Sequence, residues 1–356
     1  MSNLIDLNNV DELRRLDSTG MYASIESLPS QCAAASGELV DKVKLPEFKG
    51  IANILVTGLG GSAIGGDMLR VYAADMLDVP VVVNRYYAIP KFVGPNSLVF
   101  AVSYSGNTEE TLSAYAEAHK RGASIVAFTT GGKLGEMAKK DGYPVVDIPG
   151  GLMPRAANGY LFITTLAVLQ KAGFLPDLSA EISEMIYLLK DMCVQLGPEA
   201  KEEQNLAKQL ARKLYGKIPV VWGASGTTEV VAQRWKGQIN ENAKTPCYWN
   251  VFPELNHNEI VGLEVPAELL KNIHIVILRD ENDHPQVKKR IEITKEVFQG
   301  KVDGFTEIQA YGRGVLARTY NLICTGDFTS VYLAALNGID PGPVEAINYL
   351  KSELQK

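Results

Sequence analysis

The chain has 356 residues, 46% of them hydrophobic and 21% charged, and 35 basic against 41 acidic side chains leave a net charge of −6. Such a length exceeds the usual single domain, so two domains or two fused halves are expected. The acidic balance argues against broad nucleic-acid binding, no apolar run of about 18 residues implies a membrane span, and scattered cysteines (Cys32, Cys193, Cys247, Cys324) argue against disulfides or a zinc knuckle.

The opening residues, MSNLIDLNNVDELRRLDSTG, carry no basic stretch before an apolar core, so they do not read as a secretory signal and a cytoplasmic protein is expected. Residues 8–45 read as mostly helical. The apolar run 51–57 then reads as a buried strand, stopped by GLGGSAIGG, with helical spacing returning from Asp67. Strands follow at 81–84, 98–102, 124–129 and 144–148, with helices at 108–121 and 133–140 between them. Short apolar strands alternating with helices imply a parallel sheet covered on both faces. Residues 160–215 are helically spaced, with Pro198 and the charged stretch after it suggesting a connection. A second series begins at 218–222 and continues through strands near 246–251, 273–278 and 304–309 to closing helices.

The expected fold is therefore α/β, two doubly wound subdomains, each a mainly parallel sheet flanked by helices. The expected divisions are an N-terminal helical segment at 1–45, a first subdomain at 46–155, a helical connection at 156–215 and a second subdomain at 216–356. The halves resemble each other where ILVTGLGGS (54–62) and VVWGASGT (220–227) each end an apolar strand in a Gly/Ser turn before a helix. A spacing this long fits a duplicated domain rather than a solenoid.

Four segments carry chemistry. In GLGGSAIGG, glycines after a strand bring backbone N–H groups close to an anion, although a tight turn or a dinucleotide-like loop fits the same letters. In SYSGNTEET (103–111) the hydroxyls of Ser103, Ser105 and Thr108, with the free amides of a first helical turn, suit a phosphate. There is no G-K-[ST], so a sugar phosphate fits better than a nucleoside triphosphate. The plainer reading of SYSGNTEET, a helix cap from Asn107 or Thr108, is compatible with phosphate binding. In PGGLMPRAANGY, Arg155 is fixed between a proline and a helix start, suited to stabilising an oxygen anion, or to a surface ion pair. Finally, WKGQINENAKTP and FPELNHNE bring Glu241 and His257 as an acid/base pair. Of the four histidines, His119, His274 and His284 read as structural or surface residues. A metal at His257 lacks a second histidine in ligand spacing.

Taken in order, GLGGSAIGG, SYSGNTEET, PRAANGY, INENAK and FPELNHNE resemble the bifunctional phosphoglucose/phosphomannose isomerases of the sugar isomerase (SIS) superfamily. The likeness runs from about residue 51 to the C-terminus, including DFTSVYLA and NGIDPGPVEAINYLK. It implies that Gly61, Ser62, Ser103, Ser105 and Thr108 cradle the phosphate of a hexose 6-phosphate. It also implies that Glu241 moves a proton between C1 and C2 through a cis-enediol and that Arg155 stabilises the enediolate. His257 would open the sugar ring, reaching in from the other subunit of a homodimer. Thr329 matches the threonine linked to acceptance of mannose. Ordinary glucose-phosphate isomerases carry a lysine in a V-E-L-G-K segment; residues 331–336 have none, so ring opening rests on His257. Neither a cofactor nor a metal is implied, and no nucleic-acid or membrane partner. The alternatives are a monofunctional sugar-phosphate isomerase, a non-catalytic SIS sugar-phosphate sensor, and a nicotinamide dehydrogenase resting on the first glycine loop.

Overall fold

The structure is a computed structural model that describes residues 5–354; the outermost ends of the first and last expected segments, 1–4 and 355–356, lie outside the described residues. Its contacts divide the chain into two compact units. One comprises Ser27–Leu188 and Gly312–Ala317; the other comprises Met1–Glu26, Leu189–Tyr311 and Arg318–Lys356.

The first of these contains β1 (Asn53–Thr57), β2 (Val81–Asn84), β3 (Ser97–Val102), β4 (Ser124–Thr129) and β5 (Val145–Asp147). All four pairings are parallel and the strand order is β2-β1-β3-β4-β5. All six residues of β3 are buried, as a central strand with helices on both faces requires. On one face Leu55, Val99, Ala101, Ile125 and Ala127 pack with Ala114, Tyr115 and Ala118 of helix Glu109–Lys120 and with Leu134 and Ala138 of helix Gly132–Lys140. On the other, helix Gly61–Tyr72 lies on Val56, and helix Asn158–Lys171 packs on that helix in turn. Nearly every residue of Asn158–Lys171 is buried, which marks a helix enclosed all round.

The sequence places a loop up to Asp67, whereas the helix starts at Gly61. The glycines that lower its helix propensity are packing residues. A Cβ on Gly65 would stand 3.1 Å from the Leu161 carbonyl oxygen, and one on Gly66 would stand 2.8 Å from a Val56 methyl. Tertiary packing overrides propensity here. The N-terminal stretch is helical as expected, but in four short pieces: Val10–Leu16, Met21–Glu26, Leu28–Ser36 and Glu38–Asp41.

The four-strand unit holds β6 (Ile218–Ala224), β7 (Tyr248–Phe252), β8 (Ile273–Arg279) and β9 (Gly304–Gln309), again all parallel, in the order β7-β6-β8-β9. Val220, Trp222, Ile275 and Ile277 form a core with Phe252, Leu255 and the Ile291 and Phe298 side chains of helix Pro285–Phe298. Helices Thr227–Ala243 and Val315–Leu336 meet at Trp235, whose indole N–H donates to the Leu322 carbonyl at 2.9 Å. Renumbered from its own first strand, this order is 2-1-3-4, the order of the other sheet without its fifth strand. The two Gly/Ser turns therefore follow equivalent strands, β1 and β6, as a duplicated domain requires.

Candidate active site

In an open parallel sheet, ligands bind beyond the carboxyl ends of the strands where the order reverses. In the five-strand unit that point lies between β1 and β3. The loop after β1 is Gly58–Gly60 and the loop after β3 begins at Ser103, so two of the expected phosphate segments flank it. Helix Gly61–Tyr72 opens from Gly60, whose φ is 52°, and no side chain caps it. Helix Glu109–Lys120 opens from Thr108, again without a side-chain cap. At the first start the Ser62 and Ala63 N–H groups already donate to the Leu59 and Gly60 carbonyls at 3.0 and 3.1 Å, so the first-turn amides suited to an anion are those of helix Glu109–Lys120.

The hydroxyls are ordered by one another. Ser103, almost fully buried, shares a 2.9 Å hydrogen bond with Thr108, which is why Thr108 does not cap its own helix. Ser62 is buried and its Oγ accepts from the Tyr104 N–H at 3.4 Å, joining the two loops. Ser105 is exposed, and its Oγ accepts from the Asn107 N–H at 3.3 Å. From the opposite side, Asn107 Oδ1 accepts the Lys133 N–H at 3.2 Å, so the first turn of helix Gly132–Lys140 supports the turn.

Arg155 lies in a single 3-10 turn, Pro154–Ala156, just before helix Asn158–Lys171, and is buried. Its backbone is pressed against the first loop: a Cβ on Gly61 would stand 2.6 Å from the Pro154 oxygen and 3.2 Å from the Arg155 Cα. Only glycine allows that approach, so Gly61 is a packing residue whatever else it does. The structure thus brings Gly61, Ser62, Ser103, Thr108 and the Arg155 backbone into one connected arrangement, with Ser105 at its outer edge.

Sequence reasoning missed Tyr104. Its hydroxyl donates to the Pro149 carbonyl at 2.9 Å and accepts from the Leu152 N–H at 3.0 Å, while its own N–H reaches Ser62. It therefore fastens the segment leading to Arg155 onto the loops after β1 and β3. Burial raises its phenol pKa, so the donor stays protonated at neutral pH. An aromatic between two serines at a strand exit was the available signal.

The matching turn of the four-strand unit is already filled. Glu229, in the first turn of helix Thr227–Ala243, accepts from the Gly226 N–H at 3.2 Å and the Ser225 hydroxyl at 3.4 Å. An internal carboxylate stands at this helix start, where it would repel an anion.

Further along that helix, Gly237, Asn240, Glu241 and Lys244 share a face at i, i+3, i+4 and i+7 and line a cavity of about 670 Å³. Its far wall is Ile339, Asp340, Pro343, Val344 and Ile347. Glu241 is half-buried at this cavity. His257 ends a 3-10 turn, Glu254–His257, beyond β7; it is exposed and is not among the residues lining the cavity. Thr329, also absent from that lining, is fully buried within helix Val315–Leu336, and its hydroxyl donates to the Thr325 carbonyl at 2.7 Å.

The other histidines have structural partners. His119 contacts the Tyr143 hydroxyl at 3.1 Å, His274 is held by Asp303 at 2.8 Å and Thr306 at 2.9 Å, and His284 accepts from the Gln286 N–H at 3.1 Å. Among the described residues no group of three or more His, Cys, Asp or Glu side chains is arranged to hold a metal ion, and no helix is long and apolar enough to cross a membrane.

Two family profiles match the chain: the SIS domain over residues 48–141 and the bacterial phospho-glucose isomerase C-terminal SIS domain over residues 203–354. A bifunctional phosphoglucose/phosphomannose isomerase of Caldicellulosiruptor bescii is 49% identical over 335 residues, covering 94% of this chain and 98% of the relative. Another, from Aquifex aeolicus, is 38% identical over 316 residues, 88% of this chain and 92% of the relative. Among solved structures, a glucose-6-phosphate isomerase like protein from Thermus thermophilus has the same fold, with a TM-score of 0.64 at 20% identity over 96% of this chain and 99% of that one.

Proposed function

The chain belongs to the bifunctional phosphoglucose/phosphomannose isomerase family, and we propose that it interconverts glucose 6-phosphate and mannose 6-phosphate with fructose 6-phosphate by a one-base proton transfer. The observation that carries this reading is Glu241, a carboxylate on the wall of a cavity of about 670 Å³, in a chain whose other half offers a hydroxyl and amide cradle. Glu241 takes the proton from the carbon beside the carbonyl and returns it to the neighbouring carbon through a cis-enediol. Arg155 stabilises the negative oxygen of that intermediate. Gly61, Ser62, Ser103, Ser105 and Thr108 bind the phosphate, and phosphate binding fixes the reacting carbons against the base.

Glucose and mannose differ only at C2, the carbon that becomes planar in the enediol, so one carboxylate serves both once rotation about C2–C3 is allowed. The small, buried Thr329, whose hydroxyl is turned to its own helix, supports a steric part in that tolerance rather than a hydrogen-bonding one. Thr329→Val, which keeps the volume and drops the hydroxyl, should leave the mannose-to-glucose rate ratio unchanged, and Thr329→Gln should move it. His257 opens the ring in this reading. Its exposure and its absence from Glu241's cavity lining support supply of the imidazole by a second copy in a homodimer. None of the four cysteines forms a disulfide, as suits a reducing cytoplasm, where this reading puts the enzyme.

The test is fructose 6-phosphate formation from the two aldose phosphates in parallel, with EDTA present. Activity on both establishes a bifunctional, metal-independent isomerase. Activity on one aldose narrows the substrate range; none on either without metal overturns the metal-independent mechanism.

A further inference from the structure

Among the described residues, Lys244 is the one non-glycine residue with positive φ, at φ 53° and ψ 30°. It ends helix Thr227–Ala243, where a left-handed residue is usually glycine because a Cβ is disfavoured in that conformation. A lysine kept there at a conformational cost invites a reason in its side chain.

That side chain turns back across the cavity. Its ammonium donates to the Asp340 carbonyl at 2.9 Å, the Pro341 carbonyl at 3.2 Å and the Asn242 carbonyl at 3.3 Å. An ammonium carries three N–H donors and no acceptor, which suits a turn that presents successive carbonyls. The same turn is braced through Asp340, whose carboxylate accepts from the Gly342 N–H at 2.9 Å and from the Ser18 hydroxyl. Residues 339–347 supply the wall facing Glu241, yet helix Glu345–Leu354, which continues from that wall, buries none of its residues. Packing seats the turn itself, where Pro341 and Gly342 are buried and Gly342 lies against Thr19, but little apolar burial holds the stretch from Pro343 onward, and the polar clasp ties the turn to the helix that carries Glu241.

We propose that Lys244 is a positioning residue, a latch that clamps the 340–341 turn so that the 339–347 wall confines the hexose against Glu241. The proposal rests on the isomerase reading and adds the device that gives the cavity its fixed far side. Loosening the wall leaves Glu241 chemically intact but lets the reacting carbons drift, which lowers rate without unfolding the protein.

Lys244→Gly separates this from a merely structural role, because glycine suits the left-handed backbone while removing the latch. Its melting temperature should equal or exceed that of the wild type, while kcat/KM falls roughly 10- to 100-fold. Amide hydrogen exchange over residues 339–354 should quicken, and Lys244→Arg should recover most of both losses. Wild-type kcat/KM with unchanged exchange in Lys244→Gly would overturn the latch. So would a parallel loss of stability and activity that Lys244→Arg does not recover. Should the wild type lack isomerase activity, the functional reading fails, and exchange over 339–354 still decides whether Lys244 holds the wall.

Discussion

Arg234 donates to Asp327 across 2.6 Å with both side chains almost fully buried, and the other Asp327 oxygen accepts from Gln238 at 2.8 Å. One turn further, Asn242 donates to the Ser330 hydroxyl at 2.8 Å. Residues 234, 238 and 242 fall on one helical face, so this polar seam fixes the rotation of helix Thr227–Ala243 against helix Val315–Leu336. Glu241 sits beside Asn242, and its direction follows from that rotation. Asp327→Asn leaves the shape but takes the negative charge from beside a buried guanidinium. It should cost about 3–5 kcal/mol in chemical denaturation. Arg234→Met together with Asp327→Leu, which removes both charges, should cost much less. A single substitution as mild as the double one would show that the pair is not energetically coupled.

Glu241→Gln keeps the size of the side chain and removes its basicity. Substrate KM should stay close to wild type while kcat drops about 10² or more on both aldose phosphates. Unchanged kcat would remove Glu241 from the role of base.

Mixing that variant with His257→Ala tests whether the imidazole crosses between copies. Each variant alone is expected to be nearly inactive. After subunits exchange at equal amounts, about a quarter of wild-type activity should return, since half the dimers are mixed and each then holds one intact site. No return in dimers shown to have exchanged would place His257 and Glu241 of one chain in the same site.

The two serines of the phosphate loop should separate by burial. Ser103 is enclosed and bonded to Thr108, so Ser103→Ala should raise KM and lower stability by about 1 kcal/mol. Ser105 is exposed, so Ser105→Ala should raise KM with no change in melting temperature. Equal effects on KM and stability for the two would contradict the arrangement.

Much of the fold was legible because its strands are short apolar runs, and the nine observed strands fall at the expected places. Glycine misled once, at Gly65 and Gly66, where the sequence shows a poor helix former and only the packed neighbour explains it. The motifs pointed to candidate site residues one by one, but not to the hydrogen bonds that join them. Tyr104 and Lys244 act through hydrogen bonds to backbone carbonyls and amides distant in sequence, and such partners leave no mark on the letters. The Gly/Ser turn near Ser225 looked like a twin of the first; one carboxylate three residues on separates them.

Cys247 immediately precedes β7 and is buried, and burial pushes its thiol up to about 12. A folded-state value above the unfolded one, about 8.5, gives a contribution to stability that is complete below the latter. It is lost progressively as pH rises from there through the folded value. The native protein should therefore resist iodoacetamide at Cys247 at pH 8. Denaturation free energy should fall less steeply between pH 8.5 and 10.5 in Cys247→Ala than in wild type, and identical slopes would refute the shift.

The carboxylate of Glu229 has a consequence for direction. A fold made of two similar halves repeats the same strand-exit turn, and two open turns would offer an anion two sockets. With the turn after β6 closed by its own helix, the phosphate proposed above has its place in the five-strand unit. One acidic side chain thus gives a repeated architecture its polarity.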